Sequence, residues 1–208
     1  MEIIKVIIAD DHVIFRKGLR TVLNEISSVK VIAETSNGAE ILKFLKTEDA
    51  DIIFMDINMP VMSGIEATQA VLEKYPHIGI IALTMHEEIG YFNKMIEAGA
   101  RGFLLKKTNK EQLEAALKAV WAGETYFSEE FIISVPKNPQ PKSDFDISER
   151  EKDVLFLLAK GMSNSEIAEK LFLSKRTVDG HKSRLFEKTG VKNSAMLIMF
   201  AIKHGIIH

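Results

Sequence analysis

The stretch Val6–Leu19, VIIADDHVIFRKGL, decides the fold of the first half of the chain. It begins with an apolar, β-branched run, reaches two successive acids at Asp10 and Asp11, and continues with apolar residues at helical spacing. A short apolar run of this kind indicates a buried strand, and the spacing that follows indicates an amphipathic helix. We therefore expect a strand whose end carries two carboxylates and leads into a helix.

The same alternation of strand and helix continues to about residue 122. The predicted strands are 3–9, 29–34, 52–55, 78–84 and 102–105, and the predicted helices are 14–26, 39–46, 64–74, 89–98 and 110–122. Repetition at this spacing favours parallel strands joined by crossover helices, with both faces of the sheet covered. We predict a doubly wound α/β domain with a five-stranded parallel sheet over residues 1–125, and Thr108 with Glu111 as the capping box of its last helix.

Residues 126–145 are predicted to be a linker, because Pro136, Pro139 and Pro141 lie there among polar residues. From residue 146 to 208 the pattern is helical throughout. Serines followed three residues later by Glu form capping boxes at Ser148 and Ser163, which predict two helix starts. We predict a small all-α domain with helices at 148–160, 163–171, 174–189 and 193–204.

The composition is that of an ordinary globular protein, with 208 residues, 46% hydrophobic, 27% charged and a net charge of −2. A surface for nucleic acid must therefore be local, and bases outnumber acids only in the last part of the chain. The absence of cysteine excludes disulfides, thiolate zinc sites and cysteine nucleophiles. No apolar stretch is long enough to span a membrane, and the N-terminus does not resemble a signal peptide. We expect a soluble, cytoplasmic protein without membrane contact.

Polar side chains stand at the ends of four predicted strands: Asp10 and Asp11, Asp56, Thr84 and Lys106. The carboxyl ends of parallel strands meet at one edge of the sheet, where ligands bind. Three carboxylates there require a cation, and oxygen ligands favour Mg²⁺. A lysine and a hydroxyl suit a phosphoryl group, and an aspartate beside a metal can form an acyl phosphate. Each residue alone is most often a cap, a turn former or a solvated side chain, but together they predict a phosphate-handling site.

Four segments resemble the receiver domain of two-component systems, the fold of CheY, over about residues 1–125. They are VIIADDHVIFRKGL (6–19), DIIFMDINMPVMSGIEA (51–67), IIALTMH (80–86) and GARGFLLKKT (99–108). The resemblance implies that Asp56 accepts a phosphoryl group from a sensor histidine kinase in a reaction that needs Mg²⁺.

The resemblance also assigns roles to the residues around Asp56. Asp10 and Asp11, with Asp56 and the backbone carbonyl of Asn58, are implied to hold the Mg²⁺. Thr84 and Lys106 are implied to contact the phosphoryl oxygens. No role as an enzyme is implied beyond self-phosphorylation and autodephosphorylation.

Phe103 stands at the position of the aromatic switch residue of the family, which acts together with Thr84. Phenylalanine has no hydroxyl, so its inward state gains no hydroxyl hydrogen bond. The alternative, that Phe103 is a simple core residue, remains equally open.

The segment 146–191, DISEREKDVLFLLAKGMSNSEIAEKLFLSKRTVDGHKSRLFEKTGV, resembles the helix-turn-helix of the NarL/FixJ, or LuxR-type, family. The resemblance covers residues 146–208 and implies a double-stranded DNA partner and the regulation of transcription. It also implies a homodimer formed through the apolar helix 193–204, in the active state. The alternative for that helix is complete burial in its own domain.

Within the predicted recognition helix, Val178 and Leu185 share one face, and His181 is expected to pack there. The residues expected to meet DNA are Ser174, Lys175, Arg176, Thr177, Asp179, Gly180, Lys182, Ser183 and Arg184. Without the family resemblance, a solvated polar face is the simpler interpretation. Asp179 has two candidate roles: to accept from a cytosine amine, or to hold Arg176 or Ser183 in place. Gly180 is expected to let the backbone approach the groove closely.

Two functions compete. The first is a phosphorylation-gated transcription factor, in which Asp56 controls dimerisation and DNA binding. The second is an adaptor whose helical domain docks on another protein, which the acid at Asp179 and the weak net charge favour. An aspartyl-phosphate hydrolase is disfavoured, because the chain has no cap or substrate domain.

Overall fold

The computed structural model describes four ranges of the chain, residues 3–85, 89–127, 147–191 and 193–207. The chain divides into two compact units after Tyr126. The predicted linker falls outside the described residues except for Tyr126 and Phe127. Among the helices that the structure describes, none has the length and apolar character needed to cross a membrane.

Strands and helices alternate in the first unit as the sequence pattern predicts. The strands are β1 (Ile4–Ala9), β2 (Val29–Thr35), β3 (Ile52–Asp56), β4 (Gly79–Thr84), β5 (Gly102–Leu105) and β6 (Tyr126–Phe127). The helices are α1 (Val13–Asn24), α2 (Gly38–Phe44), α3 (Gly64–Lys74), α4 (Ile89–Glu97) and α5 (Lys110–Trp121). The strand order is β2-β1-β3-β4-β5-β6, with β1 to β5 parallel. The doubly wound prediction is therefore confirmed.

The sheet has six strands, where five were predicted. The added strand β6 is two residues long, and the backbone N–H of Tyr126 donates to the carbonyl of Arg101 at 2.9 Å. Two residues are too few to show the alternation by which a strand is identified from sequence. The pairing depends on a partner that is distant along the chain, so the sequence pattern did not reveal it.

The core on one side of the sheet explains why the central strands are apolar throughout. Every residue of β3, β4 and β5 is buried. Alternate strand residues such as Ile8, Phe54 and Ile81 pack with Leu23 of α1 and Leu117 of α5. Since successive side chains of a strand point to opposite faces, the other residues of these strands belong to the opposite face.

The strand order places the ends of β1 and β3 side by side. From β1 the chain first forms β2 on one side and then crosses to β3 on the other, where Ala9 pairs with Met55. This reversal is the topological switch point at which ligands bind in doubly wound sheets. The residues that follow Ala9 and Met55 therefore meet at the ligand-binding edge.

The loop between β3 and α3 is held against the strand end by a close backbone approach. The N–H of Gly64 donates to the carbonyl of Ile57 at 2.9 Å. A Cβ at residue 64 would lie 1.9 Å from the carbonyl oxygen of Asp56, far closer than a carbon and an oxygen that are not bonded to each other can approach. Glycine is thus required here by contact with the residue that ends β3.

The second unit is helical in its described residues, as predicted. Its helices are α6 (Glu149–Ala159), α7 (Asn164–Lys170), α8 (Lys175–Thr189) and α9 (Ser194–Lys203). Ser148 and Ser163 form the predicted capping boxes, and Gly190 ends α8 with a φ of 71°. In the first unit, the predicted box at Thr108 is wrong by one residue. There the cap is Asn109, whose side chain accepts from the N–H of Gln112, because a carboxamide competes equally well for the N-cap position.

A buried acid ties the first helix of the second unit to the recognition helix. Glu151 is 2% exposed, and its Oε2 accepts from Lys188 of α8 at 2.7 Å and from the backbone N–H of Ser148 at 2.8 Å. Burial by itself raises the pKa of Glu151, but the hydrogen bonds from Lys188 and Ser148 outweigh it and hold the pKa below its ordinary value. The pair thus fixes the position of α8 relative to α6.

Replacing Gly64 tests the close approach at the end of β3. Gly64→Ala is expected to lower the free energy of unfolding by about 1–3 kcal/mol or more, since backbone must move to admit the methyl group. Gly18→Ala is the matched control, because a Cβ at residue 18 of α1 has open space and alanine favours a helix by up to about 1 kcal/mol. Urea unfolding measures both, and equal stability of Gly64→Ala and wild type would contradict the contact.

Lowering the pH tests the buried Glu151. Because its folded pKa is depressed, its contribution to stability is complete above the unfolded value of about 4.5 and is lost as the pH falls through the folded value. Glu151→Gln is expected to be less stable than wild type at pH 7, with a difference that shrinks below about pH 4.5. Unfolding of the helical unit is followed at several pH values, and a constant difference would contradict the assignment.

Candidate functional site

Three carboxylates and one imidazole meet at the switch point. Ligand atoms of Asp10, Asp11, His12 and Asp56 all lie within 4.8 Å of one another. Asp10 is fully buried and Asp56 is 5% exposed, whereas Asp11 faces solvent. The strand ends therefore bring together the acids that the sequence predicted, and they form a group of hard oxygen donors of the kind that binds Mg²⁺.

Lys106 supplies the positive charge at this cluster. Its Nζ lies 2.7 Å from Oδ2 of Asp10 and 3.1 Å from Oδ2 of Asp56, and its side chain is 3% exposed. The ammonium also lies 4.8 Å from the centre of the Phe15 ring, which favours a cation by its negative face. Lys106 follows β5, so the ends of three strands, β1, β3 and β5, bring one positive and two negative side chains together.

Asp56 is a buried acid whose ionised form is disfavoured by its surroundings. Burial raises the pKa of its carboxyl above the ordinary value, and the charge of Asp10 raises it further. Lys106 opposes this shift without reversing it. A buried carboxylate held near a like charge is stabilised by any added positive charge, so the site favours a cation next to Asp56.

The other predicted residues of the site lie where the strands place them. Thr84 ends β4 at 4% exposure, and its carbonyl accepts from the N–H of Lys106 at 2.8 Å. Asn58 is exposed, two residues past Asp56. Phe103 is fully buried, with its ring 4.9 Å from that of Phe92 in an edge-to-face arrangement. The core role of Phe103 is thus evident, and its switch role stays a prediction.

Sequence reasoning missed two residues at the site. His12 donates its backbone N–H to Oδ1 of Asp10 at 2.8 Å, and its Nδ1 lies 2.8 Å from Oδ1 of Asp11. Arg16, one turn into α1, donates to the carbonyl oxygen of Asp10 and pairs with Glu34 of β2 at 3.3 Å. The signal for His12 was its position directly after the two acids. For Arg16 the only signal in the sequence was its helical spacing from Asp10. Its other partner, Glu34, lies too far along the chain for sequence spacing to reveal the pair.

Helix α8 has one buried side and one polar side. Val178 and Leu185 are fully buried, as predicted, and His181 is half-buried. Nδ1 of His181 is buried and has no hydrogen-bonding partner among the residues that the structure describes. Most of the residues predicted to meet DNA are exposed: Ser174, Lys175, Arg176, Thr177, Asp179, Ser183 and Arg184. The other two, Gly180 and Lys182, are half-buried.

Asp179 is held by a residue of the preceding helix. Its Oδ1 accepts from Nδ2 of Asn164 at 2.8 Å. The structure does not join the Asp179 carboxylate to Arg176 or Ser183: Ser183 donates to the backbone carbonyl of Asp179, and among the described residues no hydrogen bond or ion pair links Arg176 to Asp179. The spacing along α8 suggested a partner on the same helix, but α7 lies closer to the carboxylate.

Helix α9 combines a buried face with partly exposed apolar residues. It packs on α6 and α8 within its unit, with Leu197 fully buried. Met196, Met199 and Phe200 are only half-buried. Complete burial in its own domain is therefore wrong for this helix, since apolar side chains remain partly open to solvent.

The stability of Asp56→Asn tests the raised pKa. In metal-free buffer at neutral pH this variant is expected to unfold at a higher temperature than wild type, since the amide carries no buried charge. The gain shrinks as the pH falls towards 3.8, the ordinary value of the carboxyl, because the native carboxyl is then protonated. Asp11→Asn, at a solvent-facing acid, is the control with the smaller gain. A loss of stability in Asp56→Asn would contradict the assignment.

Both halves of the chain match known families. The model of the response regulator receiver domain matches residues 6–118, and the model of bacterial regulatory proteins of the luxR family matches residues 146–201. The chain is 34% identical over 214 residues to the oxygen regulatory protein NreC of Staphylococcus aureus strain JH9, which covers 98% of this chain and 99% of NreC.

Solved structures agree with this division. The RcsB response regulator of Salmonella typhimurium has a TM-score of 0.59 at 30% identity, over 95% of this chain and 97% of RcsB. A structure of two RcsB dimers bound to two parallel DNAs gives a TM-score of 0.62 at 29% identity, over 97% and 99%. The resemblances stated from the sequence motifs are thus confirmed. The chain belongs to the two-component response regulators of the NarL/FixJ type, which join a receiver domain to a LuxR-type DNA-binding domain.

Proposed function

We propose that this response regulator controls transcription through phosphorylation of Asp56 by a sensor histidine kinase. The observation that carries the proposal is the placement of Asp56, buried at the end of β3 within 3.1 Å of Lys106 and next to two further acids. We assign the receiver to residues 1–125, the linker to 126–145 and the DNA-binding domain to 146–208. Because its target is DNA, we place the protein in the cytoplasm.

The side chains around Asp56 support its role as the nucleophile. One carboxylate oxygen attacks phosphorus, the bond to the donor nitrogen of the kinase histidine breaks, and an acyl phosphate forms. The ammonium group of Lys106 then moves away from the two carboxylates and contacts a phosphoryl oxygen. The Thr84 hydroxyl donates a hydrogen bond to another phosphoryl oxygen. Phe103, buried beside Phe92, follows that movement as the switch residue. Self-phosphorylation and autodephosphorylation are the only reactions we assign to the protein.

The acids fit a divalent cation. Asp10 Oδ2 is buried 2.7 Å from Lys106 Nζ and accepts no hydrogen bond from the described part of the chain, so it retains a lone pair for a metal. Asp10, Asp11 and Asp56, with the backbone carbonyl of Asn58, would hold Mg²⁺. When bound, the ion neutralises the charge that develops on the phosphoryl oxygens. Asp56 and Lys106 are thereby left to position the acyl phosphate.

The polar side of α8 supports DNA as the partner of the second domain. Lys175, Arg176, Lys182 and Arg184 are suited to phosphate contacts, and Ser174 and Thr177 lie at the helix start, where backbone N–H groups favour an anion. The solved relative RcsB is bound to DNA as dimers. We propose the same kind of partner here, with direct base contacts from the first two turns of the helix, which include Asp179 and Gly180.

We propose that the active protein is a homodimer joined through helix α9 and its flanks, residues 193–204. The half-buried Met196, Met199 and Phe200 would complete their burial against a second copy. A two-fold dimer presents two α8 helices to two half-sites one turn of DNA apart, which favours pseudo-palindromic operators.

Acetyl phosphate with Mg²⁺ tests the gating. Wild type is expected to incorporate one phosphoryl group, to shift towards the dimer in light scattering and to bind promoter DNA at least several-fold more tightly. Asp56→Asn removes the nucleophile and is expected to lose all three responses. Omitting Mg²⁺ should abolish labelling of wild type, while folding remains intact by circular dichroism.

Asp51→Asn is the matched control, because this acid lies at the opposite end of β3 and contacts the N–H of Lys5. Labelling or dimerisation of Asp56→Asn equal to wild type would overturn the gating. The adaptor hypothesis gains if the phosphorylated protein binds neither random nor promoter DNA with the salt dependence expected of phosphate contacts.

A further inference from the structure

Gly180 lies in the middle of the recognition helix without a reason inside the fold. Glycine is among the poorest helix formers, and residue 180 has five helical residues before it and nine after it. Its φ is not positive, and among the described residues a Cβ at this position would meet no atom within 4 Å beyond the backbone of its own helix. Neither backbone conformation nor internal packing requires glycine. The missing side chain therefore leaves space for something outside the protein.

Asp179, beside this space, is oriented by a bridge between two helices. Nδ2 of Asn164 donates to Oδ1 of Asp179 at 2.8 Å, and Oδ1 of Asn164 accepts from Nζ of Lys182 at 3.0 Å. The two opposite charges fix both ends of the amide, so its orientation is determined. Asp179 itself forms no direct ion pair within the described residues, and it is exposed to solvent.

An oriented carboxylate on a recognition helix selects bases that present an amine. In the major groove those are cytosine, with its N4 amine, and adenine, with its N6 amine. Adenine also presents the N7 acceptor beside its amine, which repels a carboxylate, whereas cytosine presents no acceptor there. Guanine offers two acceptors and thymine offers an acceptor and a methyl group. The chemistry therefore favours cytosine.

We propose that Asp179 is a specificity-determining residue that accepts a hydrogen bond from the N4 amine of a cytosine, with Asn164 as its positioning residue and Gly180 as the space that admits the base edge. The inference rests on the proposed DNA-binding function. It divides the labour on α8: the flanking cations bind phosphates on any sequence, and the uncharged or acidic middle of the helix selects the base.

The test begins with selection of DNA from a random pool by the full-length protein, phosphorylated with acetyl phosphate and Mg²⁺. Each selected half-site is expected to contain one invariant cytosine. Replacing that C·G pair by T·A should weaken binding of wild type by about tenfold or more, within the range of a lost base contact. Asp179→Asn should lose this discrimination or transfer it to adenine, to which an amide can donate and from which it can accept.

Two further variants separate base selection from structure. Gly180→Ala should raise the unfolding temperature, because alanine favours the helix, and should still weaken binding to the selected site by about tenfold. A purely structural glycine predicts the opposite change in stability. Asn164→Ala should reduce the C·G over T·A ratio several-fold, while the salt slope stays within about one ion of wild type. Glu187→Gln is the control, because Glu187 lies in the last turn of α8, outside the predicted DNA contacts. This variant should leave the preference for C·G over T·A unchanged.

The outcomes distinguish this inference from the function on which it rests. If the wild-type protein shows no salt-dependent binding to any DNA, the proposed function fails and the inference fails with it. If wild type binds selected DNA but Asp179→Asn keeps the wild-type preference at every position, the inference alone is overturned. Wild-type affinity in Gly180→Ala would likewise overturn the close approach of the base edge.

Discussion

The contact of Lys106 with Asp10 and Asp56 is the interaction on which the receiver half depends. Two buried carboxylates at the switch point repel each other, and the lysine ammonium at 2.7 and 3.1 Å makes their burial tolerable. The compensation is incomplete, as the raised pKa of Asp56 shows. A site left short of positive charge in this way favours a metal ion. It also leaves Lys106 available to follow an incoming phosphoryl group.

The helical half is organised around a different balance. Val178 and Leu185 bury one side of α8, and the pair of Glu151 with Lys188 fixes the helix to its unit. Because the buried side of α8 holds the helix in place, the residues on its outward side need not pack against the rest of the unit. Gly180 can then serve a partner, at some cost in helix stability, because the burial of Val178 and Leu185 and the pair of Glu151 with Lys188 do not depend on it.

Much of the fold and of the candidate site was predictable from the sequence, and the errors in the prediction have physical causes. The acids at the ends of β1 and β3 were predicted because buried strands and their polar ends are visible in local patterns. The cap at Asn109 was displaced to Thr108 because several polar side chains can cap a helix and sequence alone does not rank neighbours. The strand β6 was missed because it is two residues long and exists only through pairing with a distant strand.

The sequence by itself determined the order of the elements, the residues at the strand ends and the two polar faces, since these follow from periodicity along the chain. Tertiary structure alone decided which partners those residues meet. Asp179 is held by Asn164, fifteen residues away on another helix, and Arg16 supports the backbone of Asp10 while it pairs with Glu34. Hydrogen bonds require atoms within about 3 Å of one another, and folding alone brings residues distant along the chain to that separation.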